Sequence, residues 1–252
     1  MRIILTNDDG IHAGGLRAMY AALVQAGHEV HVVAPMSEQS GVGHSISIHT
    51  PLRVRRIEEK EFSGTGVYGT PADCVKLGIT QLLPGPPDMV VSGINHGANV
   101  GPDILYSGTV AAATEGAHLG YPSLALSSDS STCMYMDEYA AFAVSLMGKL
   151  PWQRVTERRV LNINFPNIPF TGHKGLKLCP QTDAIWEDWY EKKQDPRGAS
   201  YWWLDGKLPE DKVLPGTDRH YLTQGYSTLT PLRFSFTDQE LLDTLGCCGL
   251  ES

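Results

Sequence analysis

The sequence predicts an α/β fold built on a mostly parallel sheet. Apolar runs alternate with helical patterns through the first half of the chain, as they do in successive βαβ units. The first apolar run, Ile3-Ile4-Leu5, empties straight into Thr6-Asn7-Asp8-Asp9-Gly10, and a later one, Asp88 to Ser92, ends likewise in Gly93-Ile94-Asn95-His96-Gly97-Ala98-Asn99. In a parallel sheet all strand ends of one sense share an edge, and that edge is where open α/β folds hold ligands.

The elements follow in order. Ile3 to Thr6 forms the first strand. Leu16, Met19, Tyr20, Leu23 and Val24 recur at helical spacing, Gly27 ends that helix, and Glu29 to Ala34 is the second strand. A long Ser-, Gly- and His-rich loop runs from Met36 to His49 and contains Ser40. Short strands are expected around Arg53 to Arg55 and Gly66 to Tyr68, with Glu58 to Glu61 as a solvated turn. A helix over Asp73 to Leu83 is entered through Thr70-Pro71, and Val110 to His118 is helical by propensity. Leu124 to Leu126 is a strand, Tyr139 to Leu150 a helix and Val160 to Asn164 a strand. Beyond these the βαβ pattern stops. Residues 1–180 read as the core, and 181–252 as an extension whose most strand-like pieces are Ser200 to Leu204 and Tyr226 to Leu232. A last amphipathic helix, Asp238 to Leu245, follows Thr237 as N-cap with Glu240 three residues on.

Composition bounds the function. With 20 Lys and Arg against 28 Asp and Glu, the net charge of -8 argues against broad binding to nucleic acid or to an anionic membrane. No apolar run approaches the ~18 residues of a membrane span, and no basic-then-apolar leader precedes the first strand, so the expectation is a cytoplasmic protein. Five cysteines, Cys74, Cys133, Cys179, Cys247 and Cys248, scattered except for the last two, read as reduced thiols; Cys247-Cys248 is either a redox pair or, more often for a pair in the last turn of a C-terminal helix, a pair of packing residues.

Four loops bring polar residues toward one sheet edge: Asp8-Asp9, Ser40, Asn95 with Asn99, and Ser107-Gly108-Thr109. Adjacent carboxylates repel and raise each other's proton affinity unless a cation sits between them. Two carboxylates, a hydroxyl and an amide carbonyl form a hard oxygen ligand set, suited to Mg²⁺ or Mn²⁺, whereas zinc prefers histidines. Ser107-Gly108-Thr109 opens a helix, where free N–H groups and the dipole favour a phosphate. His12, His44 and His96 lie in these loops as candidate proton donors. His28, His31, His49, His118, His173 and His220 read as surface or structural residues. Trp186, Trp189, Trp202 and Trp203 either stack a nucleobase or, more often for aromatics in an extension, anchor a subunit interface.

The motifs Thr-Asn-Asp-Asp-Gly-Ile-His-Ala (6–13), Gln-Ser-Gly (39–41), Val-Ser-Gly-Ile-Asn (91–95) and Tyr-Ser-Gly-Thr-Val-Ala-Ala-Ala (106–113) together resemble the SurE survival-protein family of nucleotidases. Gly69 to Val75, Leu161 to Asn164, Gln194 to Gly198 and Gly216 to Asp218 extend the likeness in order along nearly the whole chain. The resemblance implies a Rossmann-like three-layer core that hydrolyses nucleoside 5′- and 3′-monophosphates, with short polyphosphate as a secondary substrate. It implies one divalent metal ion per subunit, Mg or Mn, on Asp8, Asp9, Ser40 and Asn95, with Asn99, Ser107, Gly108 and Thr109 on the phosphate side. A water activated by that metal is the expected nucleophile; Asp8 as nucleophile, giving an aspartyl phosphate, is the competing mechanism. The resemblance further implies a homodimer or homotetramer in which C-terminal segments, here a hairpin and helix, serve oligomerisation. Gly14 departs from the pattern, standing where proline is common.

Overall fold

The computed structural model describes residues 1–130, 132, 134–155 and 158–248. Cys133 and the end of the extension, residues 249–252, lie outside the described residues. The chain runs β1 (Arg2–Thr6), α1 (Gly14–Gln25), β2 (Glu29–Pro35), β3 (Val54–Glu58), β4 (Ser63–Val67), α2 (Pro71–Leu77), β5 (Met89–His96), α3 (Gly108–His118), β6 (Ser123–Ser128), α4 (Met136–Met147), β7 (Arg159–Phe165), β8 (Leu176–Leu178), β9 (Glu187–Gln194), β10 (Ser200–Lys207), α5 (Asp218–Thr223), β11 (Ser227–Arg233) and α6 (Gln239–Gly246).

Nine strands form one sheet in the order β3-β4-β2-β1-β5-β6-β7-β11-β8. From β4 to β7 all neighbours are parallel, while β3 and β11 pair antiparallel with β4 and β7. The parallel run β4-β2-β1-β5-β6-β7 has the doubly wound order, and its direction of winding reverses between β1 and β5. Strand alternation sorts the apolar side chains into two layers. Ile3, Leu5, Met89 and Val91 pack with α1 and α4 on one face. Ile4 and Val90 pack with Cys74 and Val75 of α2 and Ala112 of α3 on the other. Three layers result.

Several boundaries move for local reasons. Helix α2 starts at Pro71 because Thr70 and Asp73 form a reciprocal capping box, and its regular turns give way at Gly78 to a wider turn over Gly78–Leu82. Helix α6 is capped by Asp238, whose carboxylate accepts from the Leu241 N–H at 2.9 Å, and not by Thr237. Cys247 and Cys248 follow the last turn of that helix as exposed free thiols, so they are not packing residues within it. The strand foreseen at Tyr226 to Leu232 is β11, and it joins the main sheet beside β7. Within 181–252, therefore, one strand completes the core sheet.

The remaining extension holds a two-stranded ribbon, β9 with β10, registered from Ser200 opposite Gln194 to Lys207 opposite Glu187. Asp195 closes its turn by accepting from the N–H groups of Arg197 and Ala199. Trp189, Tyr190, Trp202, Trp203 and Leu204 of this ribbon are exposed.

Helix α3 lies close against the sheet because Gly116 carries no side chain. A Cβ there would fall 2.5 Å from Val90 Cγ2 and 2.8 Å from Ser123 Oγ. We expect Gly116→Ala to lose about 1–2 kcal/mol in urea unfolding, overpacking outweighing the roughly 1 kcal/mol of helix propensity that alanine brings. A variant as stable as wild type would mean that α3 can slide off the sheet at little cost.

Candidate functional site

Between β1 and α1 the chain turns sharply. Asn7 Nδ2 donates to the Gly10 carbonyl at 3.0 Å, and Gly10 has a φ of +99°, open to glycine at little strain. The turn lets consecutive residues, Asp8 and Asp9, both approach the strand ends. Asp8 is buried, and its carboxylate accepts a short hydrogen bond from the Thr109 hydroxyl in the first turn of α3. Asp9 Oδ2 accepts from the backbone N–H of His96 at 3.1 Å, and its Oδ1 lies 3.7 Å from His96 Nδ1.

The other loops close around this pair. The Gln39 N–H donates to the Asp8 carbonyl at 2.8 Å, which brings Ser40 alongside, and Ser40 Oγ donates to Glu38 at 2.6 Å. Asn95 spends its amide nitrogen on the Gly97 carbonyl at 2.8 Å, keeping its Oδ1 as the ligand-type atom. Ser107 caps α3 by accepting from the Val110 N–H at 3.0 Å. Gly108 allows the helix to touch the carboxylate, since a Cβ there would sit 2.7 Å from Asp8 Cβ.

Asp8, Ser40, Asn95, Asn99 and Ser107 line one open cleft of about 370 Å³, together with His96, Asp103, Tyr106 and Trp186. Asp9, Gly108 and Thr109 are not part of this lining but touch residues that are: Asp9 is bonded to His96, and Thr109 turns its hydroxyl to Asp8. A larger surface hollow, about 640 Å³ beside Arg17, Tyr20 and Phe62, contains none of the foreseen site residues. The foreseen site residues therefore gather at the smaller cleft, at the winding reversal.

Burial pushes the Asp8 carboxyl up to about 6, helped by the Asp9 charge and opposed by the Thr109 hydroxyl. Burial likewise raises Asp9, against the N–H and ring of His96. Among the described residues no Lys or Arg forms an ion pair with either carboxylate. A buried and a half-buried carboxylate side by side, with hydroxyl and amide oxygens, one histidine and further acidic groups at Glu38 and Asp103 nearby, fit a hard divalent cation held by oxygen.

The histidines separate. His96 lines the cleft. His12 lies 3.3 Å from Arg17, outside it, and His44 faces Glu115 at 2.9 Å. His118, read from sequence as a surface or structural residue, stacks on His44 at a centroid distance of 5.8 Å. Glu115 is held low, at about 2, chiefly by the His44 hydrogen bond and further by Lys76.

Sequence reasoning on the loops alone missed the residues that hold Asn99. Its carbonyl accepts from Asn162 Nδ2 at 2.8 Å and Asn164 Nδ2 at 3.0 Å, its N–H donates to Asn164 Oδ1, and its side-chain nitrogen donates to Ser127. Asp218 takes the Gly101 N–H at 2.9 Å and the Thr182 N–H at 2.8 Å. The signal for the asparagines was present: two polar residues at alternate positions of an apolar strand share one face.

The family model described as survival protein SurE matches residues 3–188. This chain belongs to the SurE family. A 5′-nucleotidase SurE of Nitratidesulfovibrio vulgaris (strain DSM 19637 / Miyazaki F) is 60% identical over 246 residues, covering 98% of this chain and 91% of the relative. One of Lawsonia intracellularis (strain PHE/MN1-00) is 44% identical over 245 residues, covering 97% of this chain and 98% of the relative. The crystal structure of the SurE protein from Aquifex aeolicus superposes with a TM-score of 0.83 at 35% identity, covering 98% of this chain and 99% of that one. The α/β core and the ribbon β9–β10 are thus the architecture of a SurE chain.

In this SurE-family chain the raised Asp8 has a measurable consequence. The metal-free folded state binds that proton more tightly than the unfolded chain, whose carboxyl titrates at 3.8. Stability should therefore fall as pH rises from about 4 to about 6, by on the order of 3 kcal/mol. Asp8→Asn should flatten that slope and, in chelator at neutral pH, unfold at higher urea than wild type. An equal slope in both proteins would remove the buried-charge reading of Asp8.

Proposed function

We propose that this chain is a divalent-metal-dependent phosphomonoesterase that cleaves nucleoside 5′- and 3′-monophosphates to nucleoside and phosphate, with short polyphosphate as a side substrate. The observation that carries the reading is the adjacent pair of buried Asp8 and half-buried Asp9, with no Lys or Arg partner among the described residues and with Asp8 set against the N-terminus of α3. Relatives named 5′-nucleotidase SurE over nearly the full chain length support the substrate class.

Asp8, Asp9, Ser40 and Asn95 would hold one Mg²⁺ or Mn²⁺, which when bound neutralises phosphate oxygens and favours attack by water. The protein's own groups do the positioning. Thr109 fixes the rotamer of Asp8, and the Asn162–Asn164 pair sets the backbone of Asn99 at the cleft. Asn99, Ser107 and the first turn of α3 face the phosphate, where fixed donors act on its developing charge without reorganising. His96 stands at the cleft wall, within reach to pass a proton to the leaving alcohol. The indole of Trp186 donates to Asp103 at 3.2 Å, which offers its flat face to a nucleobase.

Phosphate release from 5′- and 3′-nucleoside monophosphates should vanish after chelation and return with Mn²⁺ or Mg²⁺. Asp9→Asn should lower kcat/KM at saturating metal by at least ~100-fold. Full turnover in chelator, or an Asp9→Asn enzyme as fast as wild type, would overturn the assignment. The exposed aromatic ribbon β9–β10 and the amphipathic α6, with Leu241, Leu242 and Leu245 exposed, further suit self-association into a homodimer or homotetramer. Light scattering should give a multiple of 27.5 kDa that falls toward one chain in Trp202→Glu/Trp203→Glu. A monomeric wild type at micromolar concentration would reject it.

A further inference from the structure

We propose a second metal site, for zinc, formed by His44, Glu115 and His118 and separate from the oxygen site at Asp8 and Asp9. Glu115 and His118 are three residues apart on α3, so they rise from one face of the helix. The loop from Met36 to His49 lays His44 over them. His44 Nε2 is 2.9 Å from Glu115 Oε2, and one ligand-type atom from each of the three lies within 4.8 Å of the others. Donor atoms around tetrahedral zinc stand roughly 3.3 Å apart, so a turn of the exposed His118 ring completes the set.

The surroundings favour a soft-to-borderline cation over magnesium. Two imidazoles and one carboxylate form a zinc donor set, with a fourth position left for water. Glu115 is 6% exposed, and its second oxygen is engaged by Lys76 Nζ at 2.5 Å, an outer hydrogen bond that orients a ligating carboxylate. One side of the cluster is lined by the apolar side chains of Ile104, Val110 and Phe234. On binding, His44 would keep its ring proton on Nδ1 and give Nε2 to the metal. The ion would then bridge the loop that carries Ser40 to helix α3, four residues from a ligand of the other site.

Equilibrium dialysis of the full chain against Zn²⁺, with millimolar Mg²⁺ present to occupy the carboxylate site, tests this directly. Wild type and Asp8→Asn should each retain a Zn²⁺ that Mg²⁺ does not displace. His118→Asn, a change at an exposed position checked for native circular dichroism, should bind it on the order of 100-fold more weakly, and Glu115→Gln should behave likewise. Cobalt substituted into wild type should give the visible absorption of a tetrahedral site, and this should be missing in His118→Asn. Zinc retention unchanged in His118→Asn, or no Mg²⁺-resistant zinc in wild type at micromolar metal, would overturn the proposal and leave Glu115 as a structural ion pair with Lys76 and His44.

Discussion

The reversal of winding between β1 and β5 governs the molecule. Helices leaving β1 and β5 depart to opposite faces, α1 to one and α3 to the other, so the loops after these strands part and leave a crevice between them. The residues of the oxygen-donor site are arranged around that crevice. Asp8 and Asp9 come from the β1 end, Asn95 and His96 from the β5 end, and α3 returns its first turn to the same point. Burial there raises the proton affinity of the Asp8 and Asp9 carboxyls, and the fold sets against it a hydroxyl, an N–H and the His96 ring instead of a Lys or Arg.

Close approach is achieved by subtraction. Gly108 lets the start of α3 lie on Asp8, Gly116 lets its middle lie on Val90, and Gly15 lets α1 reach the Ile94 carbonyl. Each absent side chain brings one helix a little nearer to the strands, and interiors packed at crystal-like density transmit such small displacements. The Ser40 loop has no regular structure of its own. It is fastened through Gln39 to Asp8, Gly43 to Tyr106, His44 to Glu115 and Ser47 to Asp73.

The core was legible because its signals are local. Ile3 to Leu5 is apolar on both faces, as a central parallel strand must be, and the polar loops announce where it stops. The ribbon was half legible. Ser200 to Leu204 has aromatic strand formers, but Glu187 to Gln194 is exposed along its length and shows no apolar alternation, so only pairing with β10 makes it a strand. The convergence of Asp8, Ser40, Asn95, Asn99 and Ser107 could be inferred from the shared edge of a parallel sheet. The direction of the Thr109 hydroxyl could not, since it is set by how α3 docks. Neither could the meeting of His44 with Glu115 across 71 residues, which depends on the path of an irregular loop.

Asp218 reaches back 117 residues to hold the N–H of Gly101, two positions from Asn99. A chain made from its N-terminus at ~5–20 residues per second therefore waits on the order of ten seconds between the emergence of that loop and the arrival of its anchor. During synthesis the strands and carboxylates exist before the crevice wall is fixed. The tie on Gly101 is drawn from a residue made long after the loop it holds.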